Sequence, residues 1–562
     1  MNSIYQRWLQ FQQLDPGLKK ELRSLTTVEI EDAFYRRLEF GTAGMRGLLG
    51  PGTNRMNRYT VRRTTTGLAR NLASLGEQIR EKGVVIAYDS RRFSREFAEE
   101  AAGVLAHHQI RTYLFPELRP TPILSFAVRY LKASAGIMIT ASHNPAEYNG
   151  YKLYGEDGAQ LPPHKVEAIL REMEAIQDEL TLATLPLHEG IETGWIQIIG
   201  DEVDQAYTQC VLSLSLQGKT EANSELKIVF TPLHGTGNLP VRRVLGELGF
   251  TSLHTVPEQE APDPGFSTVS SPNPEEHQAF SLALEQARKQ DADLVIGTDP
   301  DADRLGLYAK NAEGEFTTFN GNQIGALLLH YVLEQRKAKG ILPEKGRVLK
   351  SIVTSDLGRA IATSYGVETE DTLTGFKYIA ERIEAFGQEG PSFLFGYEES
   401  YGYLLGGFVR DKDAVQAAMM CCEMAAFYKR QGQTLDRVLE ELFSIHGAYE
   451  ESLLSFTFQG KEGLSRMMAI MDDLRHRPFD EIGGLAVREL KDYSQGIDGL
   501  PAANVLKYRC KDGSWIAVRP SGTEPKIKFY FSTVADNRKA AQDKMDRMKN
   551  FLHIRMNLSH LR

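Results

Sequence analysis

Apolar runs alternate with amphipathic stretches along most of the chain. Residues 84–88 are almost continuously apolar, which is typical of a strand buried on both faces of a parallel sheet. Ser94 is predicted to cap the helix that follows, in which Phe97 and Ala101 share one face. A second strand is expected at 110–115. This order predicts a βαβ unit.

The same order of elements returns twice. It is found at 226–256 and again at 347–395, which predicts three α/β domains that share one topology. A long helical region begins near Asp413, and three closely spaced strands are expected at 503–510, 514–519 and 526–531. Strands so close in sequence are typical of an antiparallel sheet. A smaller α+β domain is therefore expected at the end of the chain.

Length and composition limit the class of protein. With 562 residues, the chain is longer than one hydrophobic core supports, so several domains are expected. Its hydrophobic content is 42% and its charged content 25%, as in soluble globular proteins, and its apolar stretches are too short to span a membrane. Residues 1–20 lack the features of a secretory signal, which predicts a cytoplasmic protein without a membrane partner.

The charged and sulfur-containing residues exclude further classes. A net charge of -9 disfavours a protein that coats nucleic acid, so any phosphate site has to be local. The cysteines are too few and too irregular in spacing for a disulfide framework or a zinc site. They are Cys210, Cys421, Cys422 and Cys510.

The first candidate motif is the segment 140–145 (TASHNP), which follows the apolar run 136–139. Ser142 therefore lies just past the carboxyl end of a predicted strand, where open α/β sheets bind ligands. Serine, asparagine and proline are also common in turns, so an ordinary turn stays an alternative. The nearby segment 149–152 is predicted as a turn leading into a strand, with Lys152 able to reach back over the loop.

The second motif contains three alternating carboxylates, Asp299, Asp301 and Asp303. Such groups repel one another unless a cation or hydrogen-bond donors neutralise them. An EF-hand loop requires glycine where Arg304 stands and glutamate where Lys310 stands, so that calcium loop is excluded. Three carboxylates leave positions open on Mg²⁺ for a phosphate oxygen and water. A charged surface turn is the alternative.

Two further motifs have groups suited to a sugar phosphate. Glu398 and Ser400 follow the apolar run 393–395 and are suited to binding sugar hydroxyls, although acidic turns also have this composition. Arg519 opens the segment 519–526 (RPSGTEPK), where arginine, two hydroxyls and glycine are typical of a phosphate-binding loop. A hairpin turn is the alternative there.

Taken in this order, the segments 140–145, 299–304, 398–400 and 519–523 resemble the α-D-phosphohexomutase superfamily, which includes phosphoglucomutases and phosphomannomutases. The resemblance covers nearly the whole chain, with one motif in each expected domain. In addition, 40–47 (FGTAGMRG) and 373–377 (LTGFK) are similar to the long branch. That branch holds certain bacterial phosphoglucomutases and the animal phosphopentomutase-like enzymes.

The resemblance implies an α/β fold with three similar α/β domains, mixed sheets and a smaller α+β C-terminal domain around a central cleft. Each domain would supply one loop to the cleft. The expected domains are 1–208 with the phosphoserine loop, 209–322 with the metal loop, 323–455 with the sugar loop and 456–562 with the phosphate loop.

The resemblance also assigns roles. Ser142 matches the phosphoserine, and Arg46, His143 and Lys152 match catalytic positions lining the reaction centre. The implied Mg²⁺ ligands are an oxygen on Ser142 together with Asp299, Asp301 and Asp303. The implied substrate-binding residues are Arg304, Gly375, Phe376, Lys377, Glu398, Ser400, Arg519, Ser521, Gly522 and Thr523.

The general base is a point of departure from the family. One branch of phosphomannomutases has a histidine two residues after the loop serine, where this chain has Gly402. Lys152 is therefore the candidate base that the sequence offers.

The activity implied is that of a phosphohexomutase, an isomerase that interconverts glucose 1-phosphate and glucose 6-phosphate, with mannose phosphates as further substrates. A glucose 1,6-bisphosphate primer would phosphorylate Ser142. The alternatives are a phosphopentomutase, a sugar-bisphosphate synthase, a phosphohydrolase and an inactive sugar-phosphate sensor. Ser400 favours hexoses, since the animal pentomutase-like proteins have alanine there. Small sugar phosphates are the expected partners, and the chain is expected to be a monomer or a weak homodimer.

Overall fold

A computed structural model describes residues 3–41, 44–387, 390–458, 460–520 and 526–556, excluding the side chains of 460–462 and 464. Within these residues the chain forms four β-sheets in sequence order, of seven, five, four and six strands. The elements of the first sheet and its surrounding helices are α1 (Ser3–Gln10), α2 (Pro16–Ser24), α3 (Thr27–Phe34), β1 (Phe40–Gly41), β2 (Gly44–Leu48), α4 (Arg58–Ser74), α5 (Glu77–Lys82), β3 (Val84–Tyr88), α6 (Ser94–His107), β4 (Thr112–Leu114), α7 (Thr121–Tyr130), β5 (Ala135–Ile139), β6 (Tyr148–Gly155), α8 (Pro163–Glu174), α9 (Leu187–Glu192) and β7 (Ile196–Ile198).

The second and third sheets follow with helices between their strands. The second region consists of α10 (Asp201–Leu212), α11 (Glu221–Glu225), β8 (Ile228–Thr231), α12 (Asn238–Glu247), β9 (Leu253–Thr255), α13 (Pro257–Glu260), a 3₁₀ helix (His277–Phe280), α14 (Ser281–Gln290), β10 (Leu294–Thr298), β11 (Leu305–Lys310) and β12 (Phe316–Thr318). The third consists of α15 (Gly321–Ala338), β13 (Gly346–Ser351), α16 (Leu357–Ser364), β14 (Glu368–Thr372), α17 (Phe376–Phe386), β15 (Ser392–Glu398), β16 (Gly402–Leu404), α18 (Ala414–Arg430) and α19 (Leu435–His446).

The first three sheets contain the same four-stranded unit. Its strand orders are β4-β3-β5-β6, β9-β8-β10-β11 and β14-β13-β15-β16. In each unit three strands are parallel and the last is antiparallel to its neighbour. The predicted α/β fold with a shared topology and mixed sheets is confirmed. Consequently, the loops after β5, β10 and β15 are equivalent, and they contain Ser142, the three aspartates and Ser400.

The fourth sheet is antiparallel, in the order β17-β22-β21-β20-β19-β18. Helix α21 packs on it through Met545, Met548 and Leu552, which share a buried cluster with Phe529. The predicted α+β C-terminal region is confirmed. Its elements are β17 (Ala448–Thr457), α20 (Gly460–His476), β18 (Glu481–Ile482), β19 (Leu485–Asp492), a 3₁₀ helix (Tyr493–Gln495), β20 (Leu506–Cys510), β21 (Trp515–Pro520), β22 (Lys526–Ala535) and α21 (Arg538–Arg555).

Two local predictions near the first sheet are wrong. Phe93, not Ser94, is the residue before the first turn of α6, and the Ser94 hydroxyl instead donates to Asp89 over 2.7 Å. Asn149 and Gly150 are not a turn but lie inside β6. A Cβ on Gly150 would lie 2.5 Å from the Thr140 carbonyl oxygen. Glycine is therefore needed for close approach between strand and loop.

The strand before the predicted sugar loop is longer than the sequence indicated. Strand β15 extends to Glu398, so the loop between β15 and β16 is only 399–401.

The predicted domain boundaries at 208, 322 and 455 fall inside α10, α15 and β17, and the division at those residues stays a prediction. No helix in the described ranges is both long enough and apolar enough to cross a membrane. The four cysteines are free thiols.

Candidate active site

Loops from all four sheets meet at one cleft with a volume of about 950 Å³. It brings together most of the residues that the sequence singled out. The residues that line it are Arg46, Ser142, His143, Lys152, Asp303, Arg304, Gly375, Phe376, Lys377, Glu398, Ser400 and Arg519. Asp299 and Asp301 lie just beneath its surface, in contact with Ser142 and Lys152. Ser521, Gly522 and Thr523 lie outside the described residues.

Ser142 follows the carboxyl end of β5 and is buried. Its backbone is in the left-handed region, with φ of +53°, a conformation that residues other than glycine rarely adopt. The Ser142 hydroxyl donates to Asp299 Oδ2 over 3.0 Å and lies 3.1 Å from His143 Nδ1. Ser142, the candidate nucleophile, is thus in contact with Asp299, a candidate metal ligand.

The three aspartates lie between β10 and β11 and are buried together. One carboxylate oxygen from each lies within 4.8 Å of those from the other two. Asp301 Oδ1 and Asp303 Oδ1 are buried and have no hydrogen-bond partner among the described residues. Because buried carboxylates require neutralisation, this donor set fits a hard cation such as Mg²⁺.

Main-chain and hydroxyl donors shape the same loop. Asp299 Oδ1 accepts hydrogen bonds from the main-chain N–H groups of Asp303 and Arg304, each over 3.0 Å. Thr121 donates its hydroxyl to Asp301 Oδ2 over 2.8 Å. Burial and the two neighbouring aspartates raise the pKa of Asp299 well above its usual range. That carboxyl is the one that faces Ser142.

Two lysines supply positive charge beside the aspartates. Lys152 Nζ lies 2.8 Å from Asp301 Oδ2 and 3.6 Å from Asp303 Oδ2. Lys412 Nζ lies 3.0 Å from Asp303 Oδ2 and 3.2 Å from Asp411 Oδ1. Burial opposes the charge on each lysine, but the facing carboxylates raise the pKa of both above the ordinary value. Both are ammonium groups in this arrangement.

Lys412 was missed by sequence reasoning, although it packs against Gly402, the first residue of β16. A Cβ on Gly402 would lie 2.1 Å from Lys412 Cδ. The lysine stem therefore occupies the space that a side chain at 402 would need. In the sequence, Lys412 stands between Asp411 and Asp413 and belongs to no motif or periodic pattern. Its place in the cleft depends on contacts that exist only in the folded chain.

Arg46 contacts the serine loop, residues 140–147 between β5 and β6, and His143 is part of it. Arg46 Nη1 donates to Asn144 Oδ1 over 2.7 Å. Burial, together with the charges of Arg304 and Arg46, lowers the pKa of His143 well below its ordinary value. His143 is therefore neutral and able to share a hydrogen bond with the Ser142 hydroxyl. Arg304 is ion-paired with Glu275 at the mouth of the cleft.

The two adjacent glutamates at the end of β15 have different surroundings. Glu398 accepts a hydrogen bond from the Gly375 N–H over 2.7 Å, and burial, with Glu399 adding, raises its pKa to about 7. Glu399 Oε2 accepts from the hydroxyls of Ser351 and Thr354, each over 3.1 Å. Both glutamates line the cleft, but Glu399 is held by the end of β13 and the loop after it, whereas Glu398 is held by the Gly375 N–H.

A cationic cluster forms the far wall of the cleft. It consists of Lys377 from α17, Arg519 from β21 and Lys528 from β22. Burial lowers the pKa of Lys377 to about 8, and the charge of Arg519 acts in the same direction. Burial and Arg519 also lower the pKa of Lys528. Mutually repelling cations are stabilised by a bound dianion, so this wall is suited to a phosphate. Lys528 was missed, although it closely follows the predicted loop.

Known proteins are similar to most of the length of this chain. Sequence models described as phosphoglucomutase/phosphomannomutase α/β/α domains I, II and III and C-terminal domain match residues 37–180, 205–314, 320–445 and 477–549. The phosphoglucomutase of Staphylococcus epidermidis is 42% identical over 536 residues, which cover 93% of this chain and 96% of that protein. That of Staphylococcus aureus strain USA300 is 42% identical over 545 residues, covering 95% and 96%.

Solved structures agree in fold. The open form of parafusin, a phosphoglucomutase from Paramecium, has a TM-score of 0.71 at 19% identity and covers 94% of this chain and 95% of its own. A phosphoglucomutase/phosphomannomutase family protein from Burkholderia thailandensis has a TM-score of 0.65 at 17% identity, covering 92% and 97%.

Proposed function

The chain belongs to the phosphoglucomutase/phosphomannomutase family, and from this we propose that it interconverts glucose 1-phosphate and glucose 6-phosphate. The reaction is that of an isomerase that transfers a phosphoryl group through a phosphoserine at Ser142 and a glucose 1,6-bisphosphate intermediate. The observation that carries the proposal is the contact between the Ser142 hydroxyl and Asp299 in the buried aspartate cluster. A group of carboxylates that can hold a metal ion beside a serine is suited to phosphoryl transfer.

We propose that Asp299, Asp301 and Asp303 hold Mg²⁺ together with an oxygen of phosphorylated Ser142. The two buried oxygens without hydrogen-bond partners support this assignment. When bound, Mg²⁺ supplies positive charge that stabilises the transferring phosphoryl group. Lys152 and Lys412 add charge at the same place, since both already contact the cluster.

In the first transfer, the bond between Ser142 Oγ and phosphorus breaks while a bond forms from phosphorus to the free hydroxyl oxygen of the sugar monophosphate. The hydroxyl proton passes to a base of the protein. Because the chemistry is mainly positioning and electrostatic stabilisation, the walls of the cleft have to fix both ends of the substrate. Arg519, Lys377 and Lys528 would bind the phosphate that does not react, and Glu398 with Ser400 would bind hydroxyls between the two ends.

The bisphosphate then has to turn around, so that its other phosphate returns a phosphoryl group to Ser142. The same cationic wall must bind either phosphate in turn. A wall of lysine and arginine side chains is suited to this task, since it recognises charge rather than one sugar face.

Two lysines are candidates for the base. Lys152 was predicted from the sequence, and Lys412 is supported by its stem, which fills the space beside Gly402. The histidine of one phosphomannomutase branch would stand at that position. We therefore propose Lys412 beside Lys152 as a proton acceptor for the sugar hydroxyl. Either lysine would first have to lose its own proton, which Mg²⁺ bound to the aspartates would favour by neutralising the carboxylates that keep both lysines charged.

The alternative activities have less support. The relatives that match at 42% identity are named phosphoglucomutases, which does not favour a phosphopentomutase, a bisphosphate synthase or an inactive sensor. Action on mannose phosphates, the bisphosphate primer and a monomeric or weakly dimeric state stay predictions.

A coupled assay tests the proposed function. The protein is supplied with glucose 1-phosphate, Mg²⁺ and glucose 1,6-bisphosphate, and glucose 6-phosphate is measured, with mannose 1-phosphate and ribose 1-phosphate in parallel. Turnover of glucose 1-phosphate that exceeds that of ribose 1-phosphate is expected. Faster turnover of ribose 1-phosphate would instead identify a pentomutase.

A further inference from the structure

Arg91 is a buried residue outside every motif recognised in the sequence. It follows β3, and its guanidinium group binds the main chain of the loop after β5, which contains Ser142. The group donates hydrogen bonds to four carbonyl oxygens: those of Ser142 (2.5 Å), Asn144, Pro145 (2.8 Å) and Tyr148 (3.1 Å). One side chain thus binds three main-chain acceptors of the loop after β5 and a fourth at the first residue of β6.

Arg91 is itself firmly placed. Its Nε lies 3.3 Å from Asp89 Oδ2, and the side chains of both residues are fully buried. Asp89 Oδ1 in turn accepts hydrogen bonds from the Arg91 N–H over 3.0 Å and the Ser94 hydroxyl over 2.7 Å. The hydrogen bonds on Oδ1 fix the Asp89 carboxylate, and its Oδ2 faces Arg91 Nε as a buried ion pair without a hydrogen bond. The four bonds to carbonyl oxygens then set the direction of the guanidinium group.

The second region of the chain holds the same loop from its other side. The Arg91 guanidinium lies over the Phe266 ring, 4.9 Å from its centroid. Ser271 donates its hydroxyl to the His143 carbonyl oxygen over 3.3 Å. Both residues lie between α13 and the 3₁₀ helix, so the serine loop is held between Arg91 and this segment.

These contacts stabilise an uncommon backbone conformation. Ser142 has a φ of +53°, and such a conformation in a serine persists only when its surroundings impose it. The Ser142 N–H donates to Thr140 Oγ1 over 2.8 Å, and its carbonyl oxygen accepts from Arg91. Both main-chain polar groups of the nucleophile are therefore fixed, which directs Oγ toward Asp299.

We propose that Arg91 is the positioning residue that keeps phosphorylated Ser142 directed at the sugar and so determines how much phosphoryl group is lost to water. This inference rests on the proposed function. In the productive step, the Oγ–phosphorus bond breaks as the sugar oxygen bonds to phosphorus. In the loss, a water oxygen bonds to phosphorus instead, one water proton passes to Ser142 Oγ, and inorganic phosphate leaves. A displaced phosphoserine favours the second route, since transfer to the sugar requires alignment that water does not.

The test compares Arg91→Gln and Arg91→Lys with Arg92→Gln, which removes the same group from the exposed neighbouring residue. Each full-length protein is phosphorylated with glucose 1,6-bisphosphate, and phosphate release per glucose 6-phosphate formed is measured. For R91Q we expect this ratio to rise at least 10-fold and kcat to fall 10-fold or more, with KM changed less than 3-fold. R91K keeps the charge but lacks the fork of donors, so an intermediate ratio is expected. R92Q is expected to match the wild type.

The outcomes separate the two claims. Wild-type protein that gains no phosphoryl group at Ser142 would overturn the proposed function. Wild-type protein that gains it, while R91Q releases phosphate in the same proportion as R92Q, overturns the role of Arg91 alone. Circular dichroism and the thermal midpoint establish folding, and if R91Q fails to fold, R91K provides the same decision, with a ratio equal to that of R92Q counting against the inference.

Discussion

The Ser142 hydroxyl donates a hydrogen bond to Asp299 Oδ2 over 3.0 Å, although the two residues are 157 positions apart. Each lies on the loop after the third strand of the repeated four-stranded unit, in the first and the second sheet. Equivalent loops of a repeated topology therefore face each other across the cleft. The third copy contributes Ser400 to the same cleft.

Removal of the metal is expected to stop the reaction. The variant Asp301→Asn, or treatment of the wild type with a chelator, is expected to lower kcat on the order of 10³-fold, because uncompensated carboxylates repel the phosphoryl group. Added Mg²⁺ restores the chelated wild type. Asp291→Asn is the control, since Asp291 is exposed on the connection between α14 and β10, at the opposite end of β10 from Asp301. A chelated protein with full turnover would contradict a metal role.

Loss of Arg519 is expected to weaken substrate binding more than it slows chemistry. A charge-assisted hydrogen bond to phosphate contributes roughly 2 kcal/mol, so Arg519→Ala is expected to raise KM for glucose 1-phosphate about 30-fold. The control is Arg488→Ala, an exposed arginine of the same sheet. Equal KM values for the two variants would remove Arg519 from the phosphate site.

Lys412 is expected to take part in proton transfer. The variant Lys412→Ala is expected to lower kcat about 10²-fold, because a general base contributes at least that much, and added methylamine is expected to restore part of it. Lys339→Ala changes an exposed lysine and serves as the control. If K412A keeps kcat within about 3-fold of the wild type, Lys152 remains the candidate base.

Much of this arrangement could be predicted from the sequence. Strand β3 matches its apolar run, and the alternating aspartates indicated a cation site, because both signals are local. Contacts between distant segments gave no such signal. Arg91 binds a loop more than 50 positions away, and Lys412 reaches Asp303 from another sheet. Asn149 and Gly150 were predicted as a turn, since the close approach that requires glycine exists only in the folded chain.

Lys507 is expected to make stability depend on pH. It is buried, its Nζ donates to the Ile352 carbonyl oxygen over 2.6 Å, and it lies 4.0 Å from the Trp515 ring centroid. Burial, with nearby Lys350 adding, lowers its pKa from 10.5 to about 7. Between these values the unfolded chain binds a proton that the folded chain does not. The free energy of unfolding therefore rises with pH over this range, by up to about 1.4 kcal/mol per pH unit.

The variant Lys507→Met removes this dependence. The difference in free energy of unfolding between wild type and K507M is expected to grow by roughly 2–3 kcal/mol from pH 7.5 to 9.5. It is measured by urea unfolding followed by tryptophan fluorescence, with exposed Lys339→Met as the control. A difference that is constant with pH would show that Lys507 is charged in the folded protein.

The most direct test concerns Ser142 itself. Wild-type protein and Ser142→Ala are incubated with glucose 1,6-bisphosphate and Mg²⁺, and the peptide that contains residue 142 is examined by mass spectrometry alongside turnover of glucose 1-phosphate. The expected result is one phosphoryl group on Ser142 in the wild type, none in that peptide of S142A, and at least a 10³-fold loss of kcat with folding retained. Unchanged turnover in S142A, or a phosphoryl group on another residue of the wild type, would contradict the role of Ser142 as the phosphoryl carrier.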